Sequence, residues 1–438
     1  MSNKLKIWWK SLGPGLITGA SDDDPSAIVT YAAAGAKMGP NALWSMLYIL
    51  PLMIAVQEMS ARIGLASSCG LAGNIKKHYS KKILFFISFL ILAANVFNIG
   101  ADVFGMASAI EILVPKSTML FAWIIVATII GLTIFLSYKK IVMIFKWLSL
   151  SLLAYVVAGF LVIDNLPQLL KAMLLPSLEI NGQNMMLVLA LLGTTISPYM
   201  AFWQASEEAE EKRLGEKSSD KYFVCRYEVV EEKELKRVFK DTKIGMFFSN
   251  FIGFFIIALT GSILFNAGIH NVETIKDAAE ALRPLAGDYA YILFAIGVIG
   301  SGLLAIPILA GSSAYVLSEI FDWRGSLNKT FNKAKAFYAV MIVSVLLGLI
   351  IPYLGISPIR ALLWTAIAHA LVTPFLIAML IHMSNNPAIV GPNVTKKHHN
   401  LLGYGAIIAI ATTALAFLGM ETVFGQYASI IGMWLLPQ

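Results

Sequence analysis

Long apolar runs, each bounded by polar or charged residues, recur along almost the whole chain. Each run holds about 20 residues, the length at which an α-helix crosses the hydrocarbon core of a bilayer. We count eleven runs, near 12–38, 41–66, 83–112, 118–138, 141–163, 184–204, 244–266, 289–320, 336–355, 359–383 and 401–421. The pattern predicts an all-α integral membrane protein with eleven transmembrane helices.

Two of these runs, the first and the sixth, are interrupted near the middle by polar residues that end in proline. They read Gly19-Ala-Ser-Asp-Asp-Asp-Pro25 and Gly193-Thr-Thr-Ile-Ser-Pro198. Proline lacks a backbone donor and clashes with the preceding turn, so each helix must kink or break there. Two matched breaks five helices apart are typical of an inverted 5+5 repeat (LeuT-like) transporter with its binding site between them. Two unrelated kinks are the alternative interpretation.

The spacing of the runs indicates one polytopic domain over 1–438. The first repeat covers about 12–163, the second about 184–383, and an extra helix follows at 401–421. One long polar stretch with alternating charge signs, about 207–243, is predicted to be a solvated cytoplasmic loop.

Composition supports the membrane assignment, because 58% of the residues are hydrophobic and only 13% are charged. The net charge of +7 could suggest a nucleic-acid partner, but most of the 33 Lys and Arg residues fall in segments on one side of the predicted membrane. That asymmetry follows the positive-inside rule. We therefore expect no nucleic-acid partner, a location in the cell (plasma) membrane, a cytoplasmic N-terminus and an extracytoplasmic C-terminus.

Three aspartates, Asp22, Asp23 and Asp24, occupy the first break. A carboxylate at the centre of a bilayer is costly unless it is paired, protonated or bound to a cation. No Lys or Arg within the membrane is available to neutralise three aspartates, because the basic residues cluster at the ends of the spans, so a cation is the natural counter-charge. Asp24, beside the proline, is the best-placed ligand; Asp22 and Asp23 either line the pathway as further ligands, cap the second half-helix or lie nearer water.

The second break supplies the candidate ligands Thr194, Ser197 and Tyr199, all of which are oxygen donors. Sulfur and imidazole, which select softer transition metals, are missing from both breaks. Oxygen ligands suit Mg²⁺ or Ca²⁺, and a site with few side-chain ligands suits Mg²⁺, which keeps its waters. His369, the only histidine deep in a span, is interpreted as a packed residue.

The third span carries Asn95, Asn98 and Asp102 three and four residues apart, and therefore on one helical face. Such a stripe lines a pathway or holds helices together. Both interpretations remain open for the asparagines, whereas Asp102 is assigned to the pathway.

Two further pairs are interpreted structurally. Glu58 and Arg62 lie one helical turn apart and are predicted to form an ion pair. Cys69 and Cys225 both fall on or near the reducing side of the predicted topology, so no disulfide is expected.

Taken together, these features resemble the Nramp family of divalent metal transporters over nearly the full chain. The residues that carry the resemblance are Gly13-Pro14-Gly15, Asp24-Pro25, Gln57-x4-Arg62-x-Gly64, Ala101-Asp102 and Thr195-Ile196-Ser197-Pro198.

The resemblance implies a set of metal ligands, but this chain differs from the family at several of those positions. The family's Asp-Pro-Gly-Asn stands here as Asp24-Pro-Ser-Ala27, and its Ala-x-x-Met-Pro-His stands as Thr194-Thr-Ile-Ser197-Pro-Tyr199. Asp24 keeps its role and Thr194 can offer its carbonyl, whereas Ala27 (by its backbone or position only) and Ser197 provide no amide or thioether.

The family's proton route also departs here. Tyr199 replaces its histidine and Gly105 its glutamate, while Asp102 is kept. The combination is most similar to the Nramp-related magnesium transporters, a branch without the thioether and the proton coupling.

The leading hypothesis is therefore uncoupled uptake of Mg²⁺, with Mn²⁺ as a second ion, by alternating access. The alternative is a proton-coupled Mn²⁺/Fe²⁺ importer with Asp102 as relay; a sodium-coupled carrier of organic solutes is a weaker one. An intramembrane enzyme is not expected, because the spans carry no nucleophile–base pair. The expected partners are the transported ion and the lipid bilayer, without a cofactor or an obligatory protein partner.

Overall fold

The structure is a computed structural model that describes residues 14–135, 152–162, 166–215, 225, 227, 229–283, 287–323 and 325–423. Helices dominate these ranges, which contain no strand. In chain order the helices are α1 (Pro14–Asp22), α2 (Pro25–Met38), α3 (Trp44–Ser67), α4 (Leu71–His78), α5 (Lys81–Leu113), α6 (Thr118–Phe135), α7 (Leu153–Val162), α8 (Leu166–Leu174), α9 (Gly182–Thr195), α10 (Pro198–Gly215), α11 (Glu232–Thr260), α12 (Ile275–Glu280), α13 (Ala290–Phe321), α14 (Lys335–Gly348), α15 (Pro358–Ser384), α16 (Pro387–Val390) and α17 (Lys397–Val423).

The predicted spans match these helices. Within the described ranges, nine helices are long and apolar enough to cross a membrane, counting α9 and α10 as one. The first predicted span is the pair α1 and α2, each too short to cross alone. The fifth, 141–163, is described only from residue 152 onward, where α7 lies. The prediction of an all-helical membrane fold with a broken first and sixth helix is confirmed.

Large apolar side chains project from the outside of the bundle. Phe89, Phe135 and Phe160 are 69%, 85% and 73% exposed. A soluble protein rarely presents such side chains in large contiguous areas, whereas lipid tails solvate them without cost. The outer surface is therefore a lipid-facing surface.

Small residues let helices inside the bundle approach closely. A Cβ atom added to Gly19 of α1 would overlap the backbone of Gly245 on α11. One added to Gly193 of α9 would overlap the carbonyl of Ala366 on α15. Close contact of this kind is a main source of helix association in membranes. It places both breaks against neighbouring helices at backbone distance.

The packing is reciprocal between the two halves. The broken first helix packs along α11, the second span of the second half, and the continuation of the broken sixth helix packs along α3, the second span of the first half. The long helices α5 and α13, third in each half, pack against one another. This arrangement is the one that an inverted repeat requires, and it brings the two breaks to the middle of the bundle.

The polar stretch predicted as a loop at about 207–243 is shorter than the prediction, because the flanking helices extend into it. α10 continues to Gly215 and α11 begins at Glu232. Glu207 and Glu210 are buried, and the Tyr315 hydroxyl lies within hydrogen-bond distance of a carboxylate oxygen of each, at 2.9 and 2.5 Å. Partners on α13 that are distant in sequence therefore hold this acidic segment as helix.

Two pairings differ from the prediction. Cys69 and Cys225 form a disulfide, so the expectation of no disulfide was wrong. Glu58 pairs with Lys243 and His399 of other helices, at 3.1 and 2.9 Å, rather than with Arg62. The spacing of residues along one helix gives no information about partners on other segments of the chain.

For its part, Arg62 donates to the carbonyl of Asn393 at 2.8 Å and lies over the ring of Phe239, 4.7 Å from its centre. A carbonyl and an aromatic face both attract a cation, so these two contacts stabilise the guanidinium without a carboxylate, although its Nε has no hydrogen-bond partner among the described residues.

Candidate metal centre

Asp24 forms the start of the second half-helix. Its backbone is extended, with φ −70° and ψ 172°, and its Oδ1 accepts a hydrogen bond from the backbone N–H of Ala27 at 2.8 Å. Pro25 follows at the first helical position, where its missing N–H costs nothing. The sequence Asp-Pro therefore ends one helix and caps the next, and it fixes the carboxylate in the break.

The second oxygen of Asp24 faces α5. Asn98 donates from Nδ2 to Asp24 Oδ2 at 3.0 Å, and Asp102, one turn further along α5, lies close enough for its carboxylate to interact with Asp24. All three side chains are 2% exposed or less. Asn98 Oδ1 has no hydrogen-bond partner. The polar residues of the third span therefore have different surroundings, and Asn98 and Asp102 line the break.

Asn95, on the same face of α5, contacts α13 instead of the break. Its amide donates to the carbonyl of Leu309 and the hydroxyl of Ser313 on α13, at 3.3 and 3.0 Å. These bonds hold α5 against α13, so Asn95 joins helices. Of the two asparagines, the structure brings only Asn98 to Asp24 by a hydrogen bond.

Asp22 and Asp23 point to a different helix. Ser249 of α11 donates to Asp22 Oδ2 at 2.5 Å and lies 3.3 Å from Asp23 Oδ1. Both aspartates are 1% exposed, and Asp24 is the cap of α2. Two of the interpretations left open above, a helix cap and a position near water, are therefore wrong for this pair.

Sequence reasoning missed two residues at the first break, Ser249 and Tyr31. The phenol of Tyr31 is fully buried and lies within interaction range of the aspartates and Ser249. The polar pair Ser249-Asn250 in an otherwise apolar stretch of α11 is a signal that could have identified the first of them. Nothing distinguishes Tyr31 from other span tyrosines.

Several backbone carbonyls of the second break accept hydrogen bonds from nearby hydroxyl groups. α9 ends at Thr195, and the freed carbonyl of Ile196 accepts from the Thr373 hydroxyl at 3.0 Å. Ser197 donates to the carbonyl of Thr194 at 2.6 Å and lies 3.1 Å from that of Gly193. A carbonyl oxygen has two lone pairs, so the Thr194 carbonyl still has one free acceptor site.

Tyr199 joins the two breaks. Its hydroxyl donates to the carbonyl of Ser21 in α1 at 3.1 Å, and its side chain lies within interaction range of Asp24 and Asp102. The ring of His369 lies 5.7 Å from that of Tyr199 and is buried, as expected for a packed histidine. The candidate residues of the first, third and sixth spans thus converge in one region.

The region is enclosed and acidic. Asp24, Thr194, Ser197 and Tyr199 are at most 3% exposed, and Ala27 is fully buried. In the described part of the chain, no Lys or Arg forms an ion pair with an aspartate of the breaks or with Asp102. An ion can reach Asp24 only when the surrounding helices move.

Within the described residues, the breaks do not present a preformed cluster of metal-ligating side chains. Among the described residues, no group of three or more His, Cys, Asp or Glu side chains is arranged to hold a metal ion. A metal at the breaks would depend on Asp24 with neutral oxygen donors, and carboxylate, carbonyl and water oxygens suit Mg²⁺, Ca²⁺ and Mn²⁺.

Two helices broken at mid-depth, facing each other within an inverted repeat, define an integral membrane transporter. The profile of the family described as natural resistance-associated macrophage protein-like (Nramp) matches residues 15–419. The chain therefore belongs to the Nramp family of divalent metal transporters, as its motifs suggested.

Curated relatives are similar in sequence to this chain over nearly their full length. "Divalent metal cation transporter MntH" of Clostridium acetobutylicum is 25% identical over 417 residues, which cover 92% of this chain and 89% of that relative. The protein of the same name from Mycobacterium leprae is 23% identical over 418 residues, 93% of this chain and 91% of the relative.

Solved structures share the fold. The manganese transporter of Eremococcus coleocola superposes with a TM-score of 0.72 at 18% identity, covering 96% of this chain and 88% of that one. A Na⁺-coupled sialic acid symporter superposes with a TM-score of 0.54 at 12% identity, covering 92% and 89%. The latter likeness shows that the fold also serves carriers of organic solutes.

Proposed function

We propose that this protein carries a divalent metal cation across the membrane by alternating access, with Asp24 as its anionic ligand. The observation that supports this most is the burial of Asp24 in a helix break, opposite Asn98 and Asp102 and without a cationic side chain. A buried carboxylate in that setting needs a cation. The carbonyl of Thr194, the position of Ala27, and Ser197 and Tyr199 complete the proposed site.

We favour Mn²⁺ as the cargo, with protons moving in the same direction. The names of the relatives favour this alternative over the magnesium expectation, and Mn²⁺ accepts an all-oxygen site. Asp102 is the proposed proton relay, because two neighbouring buried carboxylates are costly to ionise together unless a cation lies between them. Arrival of the metal then releases the proton.

Uncoupled Mg²⁺ uptake remains a second candidate, which a specific observation favours. Ala27 and Ser197 stand where the family has an amide and a thioether, and Tyr199 stands in place of its histidine. The membrane potential alone contributes about 2.3 kcal/mol per charge per 100 mV, so roughly twice that for a dication. That is enough to concentrate the ion without protons.

The orientation and organisation are part of the proposal. We propose a cytoplasmic N-terminus and an extracytoplasmic C-terminus, supported by the distribution of Lys and Arg. The two repeats at about 12–163 and 184–383 form one transport domain, without a cofactor.

The test is ion flux in proteoliposomes that contain a pH-sensitive dye, with Mn²⁺ or Mg²⁺ outside. Mn²⁺ entry with acidification of the lumen, both lost in Asp24→Asn, is the expected result. Asp102→Asn should abolish the acidification, whereas the exposed carboxylate variant Glu179→Gln should leave both signals unchanged. Mg²⁺ entry without acidification would select the second candidate, and entry of neither ion would overturn both.

A further inference from the structure

The carboxylates at the breaks divide between two helices. Asp24 faces Asn98 and Asp102 of α5, while Asp22 and Asp23 face Ser249 of α11. Asp22 and Asp23, here called the Asp22 pair, therefore form a separate cluster on the side of the break that faces α11. The proposed transport site does not use this cluster.

Charge counting separates the two clusters. Four buried carboxylates surround the break, and in the described residues none of them is paired with Lys or Arg. One dication at Asp24 and Asp102 compensates two negative charges. When Asp22 and Asp23 are ionised, their two charges remain, and a buried charge without compensation is strongly disfavoured.

Hydrogen bonds do not satisfy the Asp22 pair. A hydroxyl has a single proton, so Ser249 can donate to only one of the two carboxylates at a time. Asp22 Oδ1 and Asp23 Oδ2 are buried without any hydrogen-bond partner. The cluster thus retains free acceptor atoms that point into the protein.

A third group points to the same place. The Tyr31 side chain is fully buried, its hydroxyl makes no hydrogen bond of normal geometry, and it lies within interaction range of Asp22, Asp23 and Ser249. A buried phenol without a partner is uncommon, because most buried polar atoms are satisfied. Its oxygen completes a set of two carboxylates and two hydroxyls.

We propose that Asp22, Asp23, Ser249 and Tyr31 form a second cation site, which binds a hard divalent ion beside the Asp24 site. Two carboxylates neutralise a dication, and oxygen donors alone suit Mg²⁺, Ca²⁺ or Mn²⁺. Two dications then balance all four buried carboxylates. The proposal goes beyond transport through Asp24 and does not depend on which ion Asp24 binds.

The test counts Mn²⁺ ions bound by the purified full-length protein, by equilibrium dialysis at saturating Mn²⁺. The native protein should bind two ions per chain, and the double variant Asp22→Asn/Asp23→Asn should bind one. Ser249→Ala, a milder change, should weaken one of the two sites at least tenfold. Glu179→Gln is the matched control and should still bind two.

A second measurement tests whether the two bound ions lie close to each other. The Cα atoms of residues 22 and 24 are at most about 7 Å apart along the chain. Two Mn²⁺ ions at these sites should therefore broaden each other's electron paramagnetic resonance lines, and the broadening should vanish in the double variant.

The outcomes keep the two proposals apart. One ion per native chain, or two ions in the double variant, would overturn the second site. If Asp24→Asn still binds two ions while the double variant binds one, the Asp24 site fails and the second site stands. If the double variant does not fold, an unchanged stoichiometry and unchanged affinities in Ser249→Ala would refute the proposal.

Discussion

Replacing Asp24 by asparagine isolates the charge of the carboxylate from its structural role. Asp24 Oδ1 caps α2 through the Ala27 N–H at 2.8 Å, and asparagine caps a helix as well as aspartate does. The new amide N–H₂ would meet the Asn98 amide, which now donates at 3.0 Å. Because Asn98 Oδ1 has no partner, a flip of that amide restores the bond. Asp24→Asn should therefore preserve the fold of the break.

The expected loss lies in ion binding. Removing one partner of a buried charge pair costs about 2–5 kcal/mol. Since about 1.4 kcal/mol corresponds to a factor of ten, the affinity of the Asp24 site should fall roughly 30-fold to 4,000-fold. Uptake of Mn²⁺ at subsaturating concentration should fall in the same proportion.

Asp24→Ala adds the loss of the cap. It should lose uptake as Asp24→Asn does, and it should be less stable than the asparagine variant by about 1 kcal/mol. Uptake into proteoliposomes and thermal unfolding in detergent measure the two effects, with Glu179→Gln as the control. Uptake by Asp24→Asn within threefold of the native rate would refute the assignment of Asp24 as a ligand.

Three further predictions concern the surroundings of the site. Ala27→Asn with Ser197→Met restores softer donors and should raise the affinity for Cd²⁺ relative to Mg²⁺ by calorimetry; an unchanged ratio would contradict the alignment of the two breaks. Tyr199→Phe leaves the carbonyl it binds unsatisfied and should cost about 1–3 kcal/mol of stability, seen as a lower melting temperature. Gly19→Ala should cost about 1–3 kcal/mol through overpacking, while Gly131→Ala, which meets no atom within 4 Å, should cost nothing.

The fold could be predicted from the sequence because its physical causes are local. Apolar length sets the spans, and the two prolines at Pro25 and Pro198 set the breaks. The position of Asp24 follows from the same local chemistry, since an aspartate before a proline both ends and caps a helix.

The partners of the site could not be predicted in the same way. Asn95 and Asn98 lie on one face of α5, yet one joins α13 and the other meets Asp24. Periodicity fixes the face of a helix but not which neighbour each position meets. For the same reason Ser249 was missed, and Glu58 was paired with the wrong cation.

The hydrogen bonds at the first break also have a consequence for the order of biosynthesis. Asp22 and Ser249 are 227 residues apart in the chain, and Tyr199 and Ser21 are 178 apart. At a synthesis rate of about 5–20 residues per second, the first span waits roughly 10 to 45 s before α11 is made. During that time Asp22 and Asp23 lack Ser249, their hydrogen-bond partner, so we expect the first span to stay near water or the insertion machinery until the second half arrives.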